Sequence, residues 1–126
     1  MSHFSKIKTK ITNQDILIQT LQELKINYKL EYKSNVNRPI IHVLFNKYQG
    51  DIIPYFIWDN NNSNYEFIAD SKTWSNKNQL DLFVEKLNQK YAYNTIIIKS
   101  NKQGFIHTNS NLLQDGSIQL VLERWN

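Results

Sequence analysis

Ser5-Lys6-Ile7-Lys8-Thr9-Lys10-Ile11 runs directly into Thr12-Asn13-Gln14-Asp15-Ile16-Leu17. The first stretch alternates, with Ile7, Thr9 and Ile11 on one side and Lys6, Lys8 and Lys10 on the other. A period of two is that of a strand with one face buried. The second stretch changes the period. Thr12 and Asn13 are N-capping types, Asp15 suits the positive end of a helix, and Leu17, Leu21 and Leu24 recur at helical spacing toward Tyr28. A strand therefore feeds a helix that ends near Lys25 or Ile26, with Asn27 at its exit.

The rest of the chain alternates between strand and turn chemistry before a second helix. Tyr28 to Lys33 alternates, Ser34 to Pro39 is turn-rich, and Ile40 to Phe45 is β-branched and apolar. Tyr48 to Asp51 turns the chain. Ile52 to Trp58 reads as a strand in which Pro54 points to an edge or a bulge, and Tyr65 to Ala69 pairs back across the polar loop Asp59 to Asn64. After an irregular segment with Trp74, helical spacing runs from Asn78 through Leu80, Phe83, Leu87, Tyr91, Asn94 or Thr95, and Ile98. The β-branched run Thr95-Ile96-Ile97-Ile98 leaves an alternative, a break after Asn94 with a strand from Thr95. The continuous reading takes the helix to Lys102 and stops it at Gln103-Gly104. Phe105 to Thr108 and Ser117 to Trp125 form strands around the turn pair Asp115-Gly116. The order predicts one α+β domain over residues 1–126, a two-layer sandwich with two helices on one face of a mostly antiparallel sheet.

Composition sets the function classes. The chain has 126 residues, 40% hydrophobic and 21% charged, with a net charge of +4. A chain of this size holds a core without disulfides or metals. The absence of cysteine excludes a disulfide framework, a thiolate zinc site and a catalytic thiol. No apolar run approaches the roughly 18 residues of a membrane span. The first residues carry no apolar signal core, so the expectation is a soluble protein that acts in the compartment where it is made. Asn and Ile are abundant and share A/T-rich codons with Lys, which points to an A/T-biased genome such as that of an organelle.

The scan for chemistry is sparse. The glycines Gly50, Gly104 and Gly116 are too dispersed for a phosphate-cradling loop. His3, His42 and His107 have no second ligand at metal-binding spacing, so no metal site or cofactor is implied. Asp81 and Glu85 share a helix face as solvated charges. Glu66 and Asp70 share a strand face, without a residue that selects them as an acid–base pair. Tyr55, Phe56, Trp58, Tyr65, Phe67 and Trp74 crowd together. They read as core packing rather than a base-stacking platform.

The most distinctive stretches are Met1-Ser2-His3-Phe4-Ser5, Ile7-Lys8-Thr9-Lys10-Ile11, Lys90-Tyr91-Ala92-Tyr93, Gln103-Gly104-Phe105, Gln114-Asp115-Gly116-Ser117-Ile118 and Arg124-Trp125. Together they make the chain resemble an uncharacterised family of algal plastid genomes and cyanobacteria, the hypothetical chloroplast reading frame numbered thirty-five. The resemblance runs nearly end to end and is weakest from Tyr28 to Asn64. It implies a plastid-encoded stromal protein and favours the continuous second helix. Many relatives carry histidine after the Tyr-Ala-Tyr segment, where this chain has Asn94, and the family brings no established activity.

These readings converge on a non-catalytic binding or accessory module of the plastid stroma, partnered by another plastid protein. Its candidate binding residues are His3, Phe4, Tyr93 and Trp125, which would meet where the chain ends join, and the lysine row Lys6, Lys8 and Lys10. Arg124-Trp125 would cap the sheet or pair with the opening strand, and Ala92 would allow close approach between two aromatic anchors. The alternatives are a nucleic-acid-binding protein using that lysine row, and an enzyme with an unrecognised site.

Overall fold

The computed structural model describes residues 4–34, 38–44, 53–70, 77–112 and 118–124. The expected turns at Tyr48 to Asp51 and Asp115-Gly116, together with Trp74, fall outside the described residues. So do His3 and Trp125.

Strand β1 (Phe4–Lys8) leads to helix α1 (Gln14–Glu23), which begins where the hydrophobic period changes. Asn13 is its N-cap, accepting the amide of Ile16 on Oδ1 at 3.0 Å. The helix ends earlier than the sequence implied. Lys25 takes a left-handed backbone (φ 59°), and Ile26 N–H closes onto the carbonyl of Leu21. Asn27 is thus not the exit residue but the first residue of β2 (Asn27–Glu31).

Strands β3 (Ile40–Leu44), β4 (Tyr55–Asp59) and β5 (Asn64–Asp70) follow as antiparallel neighbours, giving a five-stranded sheet in the order β1-β5-β4-β3-β2. Helix α1 therefore carries the chain from one edge of the sheet to the other. The expectation drawn from Pro54, an edge or bulge within the strand, is corrected. Strand β4 lies inside the sheet, and Pro54 is buried just before its first residue. There its missing N–H breaks no ladder, while its carbonyl accepts the amide of Val43 at 2.8 Å.

Helix α2 (Lys77–Lys102) is continuous through Thr95-Ile96-Ile97-Ile98, as the resemblance favoured. Local β propensity gives way to packing. Ile98 rests against the core, and the Thr95 hydroxyl donates to the carbonyl of Tyr91 at 2.9 Å. Strands β6 (Phe105–Leu112) and β7 (Ile118–Arg124) form a separate hairpin. Strand β6 extends past the expected end at Thr108, because a register shift between His107 and Asn109 absorbs one residue and the ladder resumes. Arg124 pairs with Phe105 in this hairpin, not with the opening strand.

Both helices cover the same face of the five-stranded sheet. Ile16, Leu17 and Leu21 of α1 and Leu80, Val84, Leu87 and Tyr91 of α2 close over Ile41, Val43, Phe56, Tyr65 and Phe67. The α+β sandwich expected from the element order is what the chain forms. The clustered aromatics divide by strand alternation. Phe56, Tyr65 and Phe67 are fully buried under the helices, whereas Tyr55 faces the other way, its ring 5.8 Å from that of His42.

Candidate functional site

The site is assembled where the end of β1 meets α2. Strand β1 pairs with β5 as far as Lys8 opposite Glu66. Beyond Lys8 the regular ladder gives out, and side chains hold the segment instead. The Thr9 hydroxyl donates to the carbonyl of Tyr65, Asn64 Nδ2 donates to the carbonyl of Thr9 at 2.7 Å, and Tyr65 N–H donates to Ile11 at 2.9 Å. Thr9 and Ile11 are buried, while Lys6, Lys8 and Lys10 are all exposed. The alternation read from the sequence is therefore kept through a stretch where the ladder is not.

Helix α2 is fixed over this segment by Tyr91. Its buried ring lies in the core, and its Oη accepts the amides of Thr12 at 3.1 Å and Asn13 at 3.0 Å. Those amides precede the first turn of α1, so a single hydroxyl joins the β1–α1 connection to α2. One turn farther along, buried Asn94 donates from Nδ2 to Thr20 Oγ1 at 3.1 Å. Beside it Lys90 pairs with Glu23 at 3.1 Å. Glu23 is held below its ordinary pKa first by the Gln19 amide, with Lys90 adding to it against the opposing effect of burial. Asn94 thus serves as an interhelical clamp.

Between these elements lies an open cleft of about 640 Å³. Lys8, Thr9 and Lys10 form one wall, and Asn88, Ala92, Thr95 and Ile96 contribute to the other. Two of the seven sequence candidates, Lys8 and Lys10, line it; Lys6 is exposed on the same strand but is not part of the wall. Tyr93 is half-buried on α2, with Lys90 Nζ 4.6 Å from its ring centroid. The backbone of Phe4 pairs with Asp70 at the far end of β1. The expected meeting of His3, Phe4, Tyr93 and Trp125 cannot be drawn among the described residues, since its two outer members lie beyond them. Ala92 is not a close-packing contact between aromatic anchors but an exposed floor of the cleft, one residue after buried Tyr91.

Sequence reasoning missed Asn88, Thr95 and Ile96 as site residues. Their signal was the helical repeat itself: 88, 92 and 95 form a polar and small stripe, with the apolar Ile96 at its side, next to the core stripe 80, 84, 87 and 91.

A second polar cluster adjoins the β1–α1 connection at Thr12. Arg38 lies with its guanidinium carbon 3.6 Å from the centroid of the Trp58 ring and donates to the carbonyl of Thr12 at 3.0 Å. Burial pushes the Tyr65 phenol above its ordinary value, and the nearby Arg38 partly offsets this. Tyr65 Oη has no hydrogen-bond partner of good geometry among the described residues. On the sheet face away from the helices, His42 Nε2 lies 3.0 Å from Glu31 Oε1. The carboxyl of Glu31 is lowered from its ordinary value, first by that hydrogen bond. Among the described residues, no three histidine, aspartate or glutamate side chains come together as a metal site.

Comparison with known proteins places the chain in a lineage. The family described as "Protein of unknown function (DUF1257)" matches residues 20–121. The chain belongs to this family. It is 36% identical over 131 residues to "Uncharacterized protein ycf35" of Guillardia theta, covering 99% of this chain and 98% of the relative. It is 34% identical to the protein of that name in Pyropia yezoensis, with 100% and 99% covered. To that in Cyanophora paradoxa it is 29% identical, with 99% and 98% covered. The resemblance read from the chain ends and Tyr91-Ala92-Tyr93 is thereby established, and with it a plastid origin. No solved structure matches this DUF1257 chain. No helix among its described residues is long and apolar enough to cross a membrane.

Proposed function

We propose that the chain is a single-domain, non-catalytic binding or accessory module of the plastid stroma, whose partner is another plastid protein docked at the cleft between β1 and α2. The observation that carries this reading is the cleft's lining. Lys8, Thr9 and Lys10 line one side. Amide and hydroxyl side chains of Asn88 and Thr95 stand on the other, with exposed Ala92 and Ile96 as apolar floor. Groups of this kind hold and orient a ligand through charge, hydrogen bonds and apolar contact. The cleft is also anchored at Tyr91, so its walls are set before a partner arrives.

Affinity capture from plastid extract tests the reading. A Lys8→Gln/Lys10→Gln chain is expected to keep its melting temperature within about 2 °C, because exposed side chains contribute little to stability. It should retain about tenfold less of the partner held by the parent chain, the effect of losing roughly 1.4 kcal/mol of contact energy. Equal retention by both chains would contradict the proposal.

A second reading, binding to nucleic acid, is favoured by one observation: Lys6, Lys8 and Lys10 are all exposed along β1 and the segment that follows it. It requires RNA or DNA binding that weakens steeply with salt and flattens when those lysines are replaced.

A further inference from the structure

We infer that the occupant of the cleft is an extended acidic peptide segment that adds to the outer edge of β1 as a new antiparallel or parallel strand. This deepens the proposed function and rests on it. Strand β1 ends the sheet, and among the described elements only β5 lies against it. Its outer row of backbone N–H and C=O groups is therefore a template for strand pairing. Ala92 and Ile96 of α2 line the cleft together with Lys8, Thr9 and Lys10, and Ile96, 43% exposed, with exposed Ala92 gives one face of an added strand an apolar surface to cover.

The charge pattern selects the peptide. Lys6, Lys8 and Lys10 recur every second residue. Alternate residues of a strand are spaced roughly 7 Å apart. An extended peptide laid beside β1 has the same repeat, so acidic residues at every second position would meet the lysines while the intervening residues turn toward α2. The same row disfavours pairing of β1 with a second copy of itself, because like charges would stand opposite each other. A nucleic-acid backbone fits less well. The sheet face reached by the lysines also carries Glu66, directly opposite Lys8, with Asp59, Lys29 and Glu31 farther across, so beyond the basic row the face is of mixed charge.

The test uses the full chain and a blocked eight-residue peptide of alternating Glu and Val, with two comparison probes. One is the same peptide N-methylated at alternate residues to remove the donors of one edge. The other is an oligouridylate of equal charge. Binding of the plain peptide should slow amide exchange within residues 4–10 at least about tenfold. N-methylation should abolish that protection, and Lys8→Gln/Lys10→Gln should weaken binding at least about tenfold. Equal binding of the N-methylated peptide would overturn strand addition, as would protection confined to other elements or no binding at all. Oligouridylate that binds in preference and displaces the peptide would overturn the peptide assignment. Failure of the peptide alongside loss of the captured partner from the lysine variant removes strand addition and leaves the cleft reading standing. Failure of both removes both.

Discussion

Replacing Phe67 with alanine is expected to destabilise the protein by about 3–5 kcal/mol, the usual cost of deleting a fully buried aromatic ring. For a chain of this size that is a fall of about 10–25 °C in melting temperature. Phe67 is fully buried at the centre of β5, facing Phe56 of β4 at 4.7 Å between ring centroids and Phe83 of α2 at 5.4 Å. Its Cα neighbours across the ladders are Ile7 and Phe56. The ring therefore touches both layers, and its loss leaves a cavity that neither can fill alone. Thermal unfolding measures the effect. A fall of less than about 3 °C, the scale of a surface substitution, would mean that the two layers do not meet at Phe67.

The second large effect is expected at Tyr91. Tyr91→Phe keeps the buried ring and removes only the oxygen that accepts the Thr12 and Asn13 amides. Because Thr12 and Asn13 are exposed at the surface, water replaces part of what is lost, and the cost should be about 1–3 kcal/mol. Differential scanning fluorimetry should show a drop of about 3–15 °C. Amide exchange should also accelerate at Thr12 and Asn13 before it does in the sheet. An unchanged melting temperature with unchanged exchange would show that the hydroxyl does not fasten α2 to the β1–α1 connection. The substitution also bears on binding, since the same bond sets the distance between the cleft's walls.

Several parts of this arrangement were readable from the residues because they depend on local periodicity. The alternation from Ser5 to Ile11 identified which side chains of β1 and its extension are buried. The Leu17-Leu21 spacing found α1, and Leu80-Leu87-Tyr91-Ile98 found the buried stripe of α2. Boundaries governed by a single backbone conformation were less accessible. The left-handed turn at Lys25 has no sequence flag of its own, since lysine has no preference for that region, whereas Gly104 at the end of α2 (φ 87°) does. Strand β6 ran beyond expectation because a polar run such as Asn109-Ser110-Asn111 looks like a turn when judged by composition. A backbone ladder with one bulge nevertheless pairs it.

The cleft was hardest to foresee for a different reason. It is made by two segments some eighty residues apart, and no local pattern encodes their approach. Lys8 and Lys10 were recognisable as one exposed row, and Tyr91-Ala92-Tyr93 as a distinctive stretch of helix. Their meeting depends on one tyrosine hydroxyl and two backbone amides, a long-range hydrogen-bond pair that periodicity does not reveal. Ala92 illustrates the consequence. A small residue between two tyrosines reads as a site of close helix packing, but the rotation that buries Tyr91 turns Ala92 toward the opening.

A steric plug shows whether this opening is where a partner binds. Ala92→Trp places a large side chain across the cleft from an exposed position on α2. It should leave the melting temperature within about 2 °C. In quantitative affinity capture from plastid extract, this variant should lose the partner retained by the parent chain. Capture of the same partner in the same amount, by a variant shown to be folded, would contradict it.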